Sequence, residues 1–221
     1  MTSSPEQLTR REHIIDAARA AIEEHGPDAG TAQIAERAGL ARPNVYRHFA
    51  SKDELDREVA RAAYRQILEA FCDRVDLPGT PLDVIRKPVA TQVDWARNHP
   101  NLYHFLLSQG FYRFFVATGA RSSSRRLVAQ GDFAAEVAEA GERYFPRFAE
   151  NRDAAETLVM ELASIFHISI TRWLTGHTET RDQLIERLTA EAWLLTDRHL
   201  RQFGVHLDPH KPLPSTSPTK E

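Results

Sequence analysis

Four polar side chains, Arg42, Asn44, Arg47 and His48, follow closely behind the Gly39-Leu40 turn. Arginine and asparagine carry donor and acceptor edges that match those of base pairs in a major groove, so a short helix presenting them could read duplex DNA. That chemistry needs no nucleophile and no metal, but it needs a rigid platform. Catalytic or metal-binding chemistry finds little to work with elsewhere. The nearest histidine pairs are His99 with His104 and His206 with His210, and Pro100 and Pro209 interrupt them, so neither gives two ligands on one continuous helix. No glycine-rich phosphate loop and no Ser, His and Asp arrangement stands out. The single cysteine, Cys72, reads as a small apolar residue. No enzyme activity, cofactor or metal is expected.

The elements that must hold the reading face are helical. Residues 9–24 place Ile14, Ile15, Ala18 and Ile22 on one side, and Gly26-Pro27 stops them. A second short helix is expected from about Thr31 to Ala38 and a third over 42–49. Ile34, Ala35 and Ala38 face inward on the second, Val45 and Phe49 on the third. The small alanines allow a close crossing, and Gly39 can adopt the left-handed backbone of the turn. This is a helix-turn-helix layout. Ser51 and Glu54 read as a capping box, the Ser51 hydroxyl accepting the Glu54 amide and the Glu54 carboxylate returning to the Ser51 amide. A long fourth helix then runs to about residue 73.

Length and charge set limits on the remainder. The chain has 221 residues and is 42% apolar, enough for one medium domain or a small one with a larger partner, and too apolar for general disorder. Its formal net charge of -3 excludes a uniformly basic coat. A local basic face is still compatible with that balance, because only the groove-facing side must be positive. No apolar stretch is long enough to span a bilayer, and the start does not resemble a secretory leader. A cytoplasmic protein without membrane contact is expected. After the punctuation at 75–81, helices are expected near 81–98, 100–109, 123–145, 152–175 and 179–204, with Pro88 kinking or delaying the first. The segment 110–122 is ambiguous. The Pro-rich end reads as a mobile tail.

The run Thr31-Ala-Gln-Ile-Ala-Glu-Arg-Ala-Gly-Leu40, followed by Ala41-Arg-Pro-Asn-Val-Tyr-Arg-His-Phe49 and Ser51-Lys-Asp-Glu-Leu55, resembles the TetR family of bacterial transcriptional repressors. The resemblance covers residues 9–60 closely and the rest only in helix count and length. It implies that Thr31 caps the second helix and touches a phosphate, and that Arg42 and Asn44 contact bases. It further implies phosphate contacts for Tyr46, His48 and Lys52, with Arg47 serving either purpose and Arg10 and Arg11 reaching the DNA backbone. Two positions depart from the family pattern. Ala41 stands where a capping Ser or Thr is usual, a loss of about 1 kcal/mol. Pro43 replaces a frequent glycine and stiffens the helix entry.

The larger half is aromatic-rich, and its lining candidates for a small apolar or aromatic effector are Trp95, Tyr103, His104, Phe111, His167 and Trp173. Residues 157–174 are apolar on nearly all sides, so they must be covered on two faces. The last helix carries an inner stripe through Leu184, Leu188, Ala192 and Leu195 and a second row beside it. Resemblance makes this a four-helix homodimer interface, with Phe166, Ile170, Ile185, Trp193, Thr196 and Leu200 as its candidates.

The expected fold is therefore all-α: a flexible arm over 1–8, a homeodomain-like helix-turn-helix DNA-binding domain over 9–57, a larger helical ligand-binding and dimerisation bundle over 58–204, and the tail over 205–221. The expected function is a ligand-responsive regulator, a repressor that binds a near-palindromic double-stranded operator as a dimer and leaves it when the effector binds. The rival readings are a constitutive DNA-binding protein without an effector and an all-α enzyme using the aromatic cavity.

Overall fold

A computed structural model describes residues 5–72, 79–108, 152–176 and 179–213. Eight helices and no strand occur among the described residues: α1 Pro5–His25, α2 Thr31–Arg37, α3 Arg42–Tyr46, α4 Lys52–Cys72, α5 Pro81–Asn98, α6 Pro100–Ser108, α7 Arg152–Gly176 and α8 Arg181–Gln202. The fold is all-α. Helix α1 begins earlier than the apolar periodicity indicates, at Pro5, because proline is compatible with a first helical turn. Helix α5 begins at Pro81 and continues through Pro88, so the expected delay does not occur. The expected helix over 123–145, the segment 110–122, Phe111 and the side chain of Cys72 lie outside the described residues.

Packing divides the chain into two compact units, with boundaries at Ile67/Leu68 in α4 and Trp95/Ala96 in α5. In the first unit, Ile14, Ala18, Ala21 and Ile22 of α1 are fully buried, while Ile15 is half-buried. They pack with the α2 residues Ile34 and Ala35, and with Ala38, Val45 and Phe49, all buried as their spacing requires. Helix α6 joins this unit through Glu23, whose Oε1 accepts the Leu102 amide at 3.0 Å while its carbonyl accepts from Asn101 Nδ2 at 2.9 Å. A carboxylate at the start of α6 satisfies amides that the helix itself leaves unpaired.

In the second unit, contacts pair Glu161 with Arg198 and His199, Ser169 with Arg187, and Trp173 with Glu179. The falling and rising numbers make α7 and α8 antiparallel. Thr180 caps α8, its hydroxyl accepting the Gln183 amide. A bidentate pair joins Arg181 to Asp94, both bonds 2.6 Å long.

The segment after α8 requires a correction. Residues 205–213 are not a free tail: Gly204 takes φ +72, the Val205 amide bonds to the Leu200 carbonyl at 3.1 Å, and Phe203, Val205 and Leu207 pack on Leu158 and Leu200. The Leu213 amide then reaches the Gly79 carbonyl at 3.0 Å. Two aliphatic side chains, placed just past the positive-φ Gly204 that follows the C-cap Phe203, hold this segment despite its prolines. Residues 214–221 lie outside the described residues.

Candidate nucleic-acid interface

Helix α3 has only five residues and cannot be stable alone. Buried Val45 and Phe49 fix its underside. The turn before it is a glycine-closed helix end: Gly39 has φ +66, its amide bonds to the Glu36 carbonyl at 3.0 Å, and the Leu40 amide bonds to Ala35 at 2.9 Å. Ala41 occupies the N-cap without any side-chain hydrogen bond, as its methyl group dictates, and Pro43 lies in the first turn. The entry to α3 is held by conformation rather than by a cap.

On the open side, Arg42, Pro43, Tyr46 and Arg47 are exposed, and Asn44 and His48 are half-exposed. Asn44, Arg47 and His48 line a concavity of about 290 Å³ with Arg10 and Leu40. The structure thus brings the polar residues of α3 together with an arginine from α1. A concave, donor-rich surface of this kind suits an anionic, acceptor-rich partner.

Thr31 departs from its expected role. Gly30, not Thr31, is the N-cap of α2, and its amide is taken by Gln33 Oε1 at 2.7 Å. Thr31 is already inside the helix, and its hydroxyl meets the Tyr46 hydroxyl at 3.2 Å. That hydrogen bond and the Arg42 guanidinium, 5.8 Å above the ring centre, hold the Tyr46 phenol below its usual range. The Thr31–Tyr46 contact ties the first turn of α2 to the last turn of α3.

The Ser51–Glu54 motif is half as expected. The Glu54 amide bonds to Ser51 Oγ at 3.1 Å, but the Glu54 carboxylate accepts the Ala50 amide at 2.7 Å instead of the Ser51 amide. Arg11 holds the other carboxylate oxygen at 3.1 Å. The Ala50 amide and Arg11 keep the Glu54 carboxyl below the usual carboxylate range. Lys52, at the positive end of α4, is paired with Asp56 Oδ1. Burial raises the Asp56 pKa, and Lys52 opposes that shift. A phosphate contact by Lys52 must therefore share the ammonium with a carboxylate.

The residues assigned to the larger half are distributed across the two units. Tyr103 is buried in the first unit, where burial raises its phenol well above the usual range. His104, on the same helix, has Nε2 buried without a hydrogen-bond partner. Trp95, His167 and Trp173 are buried in the second unit. Trp173 Nε1 donates to the Glu179 carbonyl at 2.9 Å, so it ties down the α7–α8 connection.

The interface candidates also need correction. Phe166, Ile170, Ile185 and Leu200 are buried within a single chain and are unavailable to a second copy. Trp193 and Thr196 are half-buried, the Thr196 hydroxyl bonding to the Ala192 carbonyl at 2.8 Å. Among the described side chains of α7 and α8, the large apolar ones left open are Ile168, 71% exposed, and Leu194, 68% exposed. A mostly apolar helix shows its period in sequence without showing which row turns inward.

Helices α1 to α3, with the glycine turn and the arginine-rich open side of α3, define a DNA-binding helix-turn-helix module. The family model for "Bacterial regulatory proteins, tetR family" matches residues 14–59, which span most of that module and the start of α4. An uncharacterized HTH-type transcriptional regulator of Haemophilus influenzae is 31% identical over 122 residues, covering 52% of this chain and 58% of that protein. The chain thus matches little more than half the length of this relative. Among solved structures, a transcriptional regulator from Rhodococcus has a TM-score of 0.61 at 17% identity, covering 87% of this chain and 96% of the other. A tetR-family transcriptional regulator from Streptomyces coelicolor has a TM-score of 0.59 at 18% identity, covering 91% and 85%. At these identities the structures establish the fold. No helix among the described residues is long and apolar enough to cross a membrane.

Proposed function

We propose that this protein is a dimeric transcriptional regulator that represses by binding a near-palindromic operator and is released by a small apolar or aromatic effector. The observation that carries this reading is the concavity where Arg10, Asn44, Arg47 and His48 converge, beside exposed Arg42, on a core of fully buried side chains. Arg42 and Asn44 read base edges in this scheme. Tyr46, His48 and Lys52 hold phosphates, with Thr31 supporting Tyr46 from α2, Arg47 does either, and Pro43 shapes the helix entry.

The apolar outer surface that Ile168 and Leu194 give to α7 and α8, with Trp193 and Thr196 beside it, supports dimerisation through these helices. Two copies related by a two-fold axis would set their α3 helices about 34–36 Å apart, one turn of duplex, or a multiple of it. The effector would bind among the buried aromatic side chains Trp95, His167 and Trp173 of the second unit. To release DNA it must bind the released conformation more tightly than the DNA-bound one.

Selection of bound sites from a random duplex library tests the proposal directly. The expected product is a pair of inverted half-sites at one-turn spacing, bound by a dimer. Recovery of no preferred sequence, or of single half-sites bound by a monomer, would overturn it. Operator affinity indifferent to every apolar or aromatic compound tested would remove the effector and leave a constitutive binder.

A further inference from the structure

Arg10 and Arg11 are neighbours in sequence with opposite surroundings. Arg10 is exposed and lines the α3 concavity. Arg11 is partly buried and fully engaged within the protein. One of its guanidinium nitrogens donates to the His48 carbonyl just past α3, the other donates to Glu54 Oε1 at 3.1 Å, and its central carbon lies 4.2 Å from the centre of the Phe49 ring. Glu54 accepts the Ala50 amide at 2.7 Å through its second oxygen. A parallel contact comes from His13, whose Nε2 lies 3.1 Å from the Ala38 carbonyl at the end of α2. Helix α1 therefore places one side chain on a carbonyl just beyond the last helical residue of each of the two helices that follow it.

We infer that Arg11 is a positioning residue, which sets the angle at which α3 is presented and makes no DNA contact of its own. The inference rests on the DNA-reading function proposed above. Helix α3 is too short to orient itself, and Ala41 gives its start no side-chain cap. Its pose must come from Val45 and Phe49 beneath it and from whatever holds its far end. A cation is favourable at C-terminal carbonyls. The planar guanidinium can bond a carbonyl and a carboxylate in one plane while stacking on an aromatic ring, and an ammonium cannot do all three.

The test compares wild type, R11A, R11K, E54Q and R10A as full chains, on the selected operator and on a random duplex, across a salt series. R11A and R11K should each lose about tenfold on the operator and less than about twofold on random DNA, with an unchanged salt slope, because base readout is misaligned and no phosphate contact is lost. E54Q removes a negative charge, which by electrostatics alone would tighten every duplex. Here it should lower the operator-to-random ratio as R11K does. R10A should instead weaken both duplexes and flatten the slope by about one.

A loss of folded protein would reduce both affinities equally, so the ratio separates positioning from mere stability. Amide hydrogen exchange without DNA provides an independent arm: exchange at Asn44, His48 and Phe49 should quicken in R11K and E54Q while α1 amides stay unchanged. R11K matching wild type in ratio and exchange would overturn the inference, as would a flattened salt slope in R11A. If wild type selects no duplex, the DNA-reading function fails, and exchange at α3 still decides the role of Arg11.

Discussion

The α1–α3 module and the α7–α8 pair solve the problem of burial in opposite ways. In the module, Ile14, Ile22, Ile34, Val45 and Phe49 are all inside, and the side chains left open on α3 are mainly polar and form the working surface. In α7 and α8 the apolar residues exceed what one chain covers. Ile168 and Leu194 remain outside, while His167, Thr189 and His199 are buried. Each of these inward polar groups has a partner that makes burial tolerable: the Thr189 hydroxyl bonds to the Ile185 carbonyl at 2.7 Å, and His199 Nε2 meets Glu161 at 3.0 Å. His167 is also engaged. A polar working face is marked by the polar side chains it leaves open, whereas an apolar one is defined only by what packs against it.

The sharpest way to break this contrast is at the base of α3. Phe49→Ala removes a buried ring and should destabilise the first unit by about 3–5 kcal/mol, read by urea unfolding. A loss under about 1 kcal/mol would mean that the working face does not depend on its core. Next, Arg42→Ala should cost about 1–3 kcal/mol on the selected operator and little on random DNA in titrations, with no change in unfolding midpoint. Equal losses on both duplexes would make Arg42 a phosphate ligand.

His167 tests the other region. Burial keeps its imidazole neutral, lowering the pKa from 6.5 to about 4. As pH falls below 6.5 the unfolded chain takes up a proton that the folded chain refuses until near pH 4, so stability declines through that window. Between pH 7 and pH 5 this amounts to about 2 kcal/mol, and His167→Gln should remove that share of the acid sensitivity in paired urea titrations. An unaltered pH dependence would show that His167 is solvated. The smallest expected effect is on the outer face: Leu194→Ala should change unfolding of the isolated chain by less than about 0.5 kcal/mol. Sedimentation should nevertheless show weaker self-association, and a dimer of unchanged affinity would move the interface elsewhere.

Much of the first unit was legible because its signals are local. The start of α4 at Lys52, the turn at Gly39 and the buried set Ile34, Ala35, Ala38, Val45 and Phe49 follow from spacing and from glycine's freedom at positive φ. The inward contacts of Arg11 are not legible in the sequence, where the resemblance implies a DNA-backbone contact instead. Its partners His48 and Glu54 lie 37 and 43 residues away, and no local pattern distinguishes it from Arg10. The Thr31–Tyr46 contact and the use of Ala50 in place of Ser51 were hidden for the same reason.

By itself, the sequence determined the helices, the turn and the polar face of α3, since backbone preference and period act over a few residues. Only the tertiary structure decided which apolar row of α7 and α8 faces inward, which arginine points into the protein, and that residues 205–213 pack down beyond Gly204. Those outcomes depend on contacts between residues far apart in the chain, where the same side chain is equally suited to core or surface until a neighbour covers it.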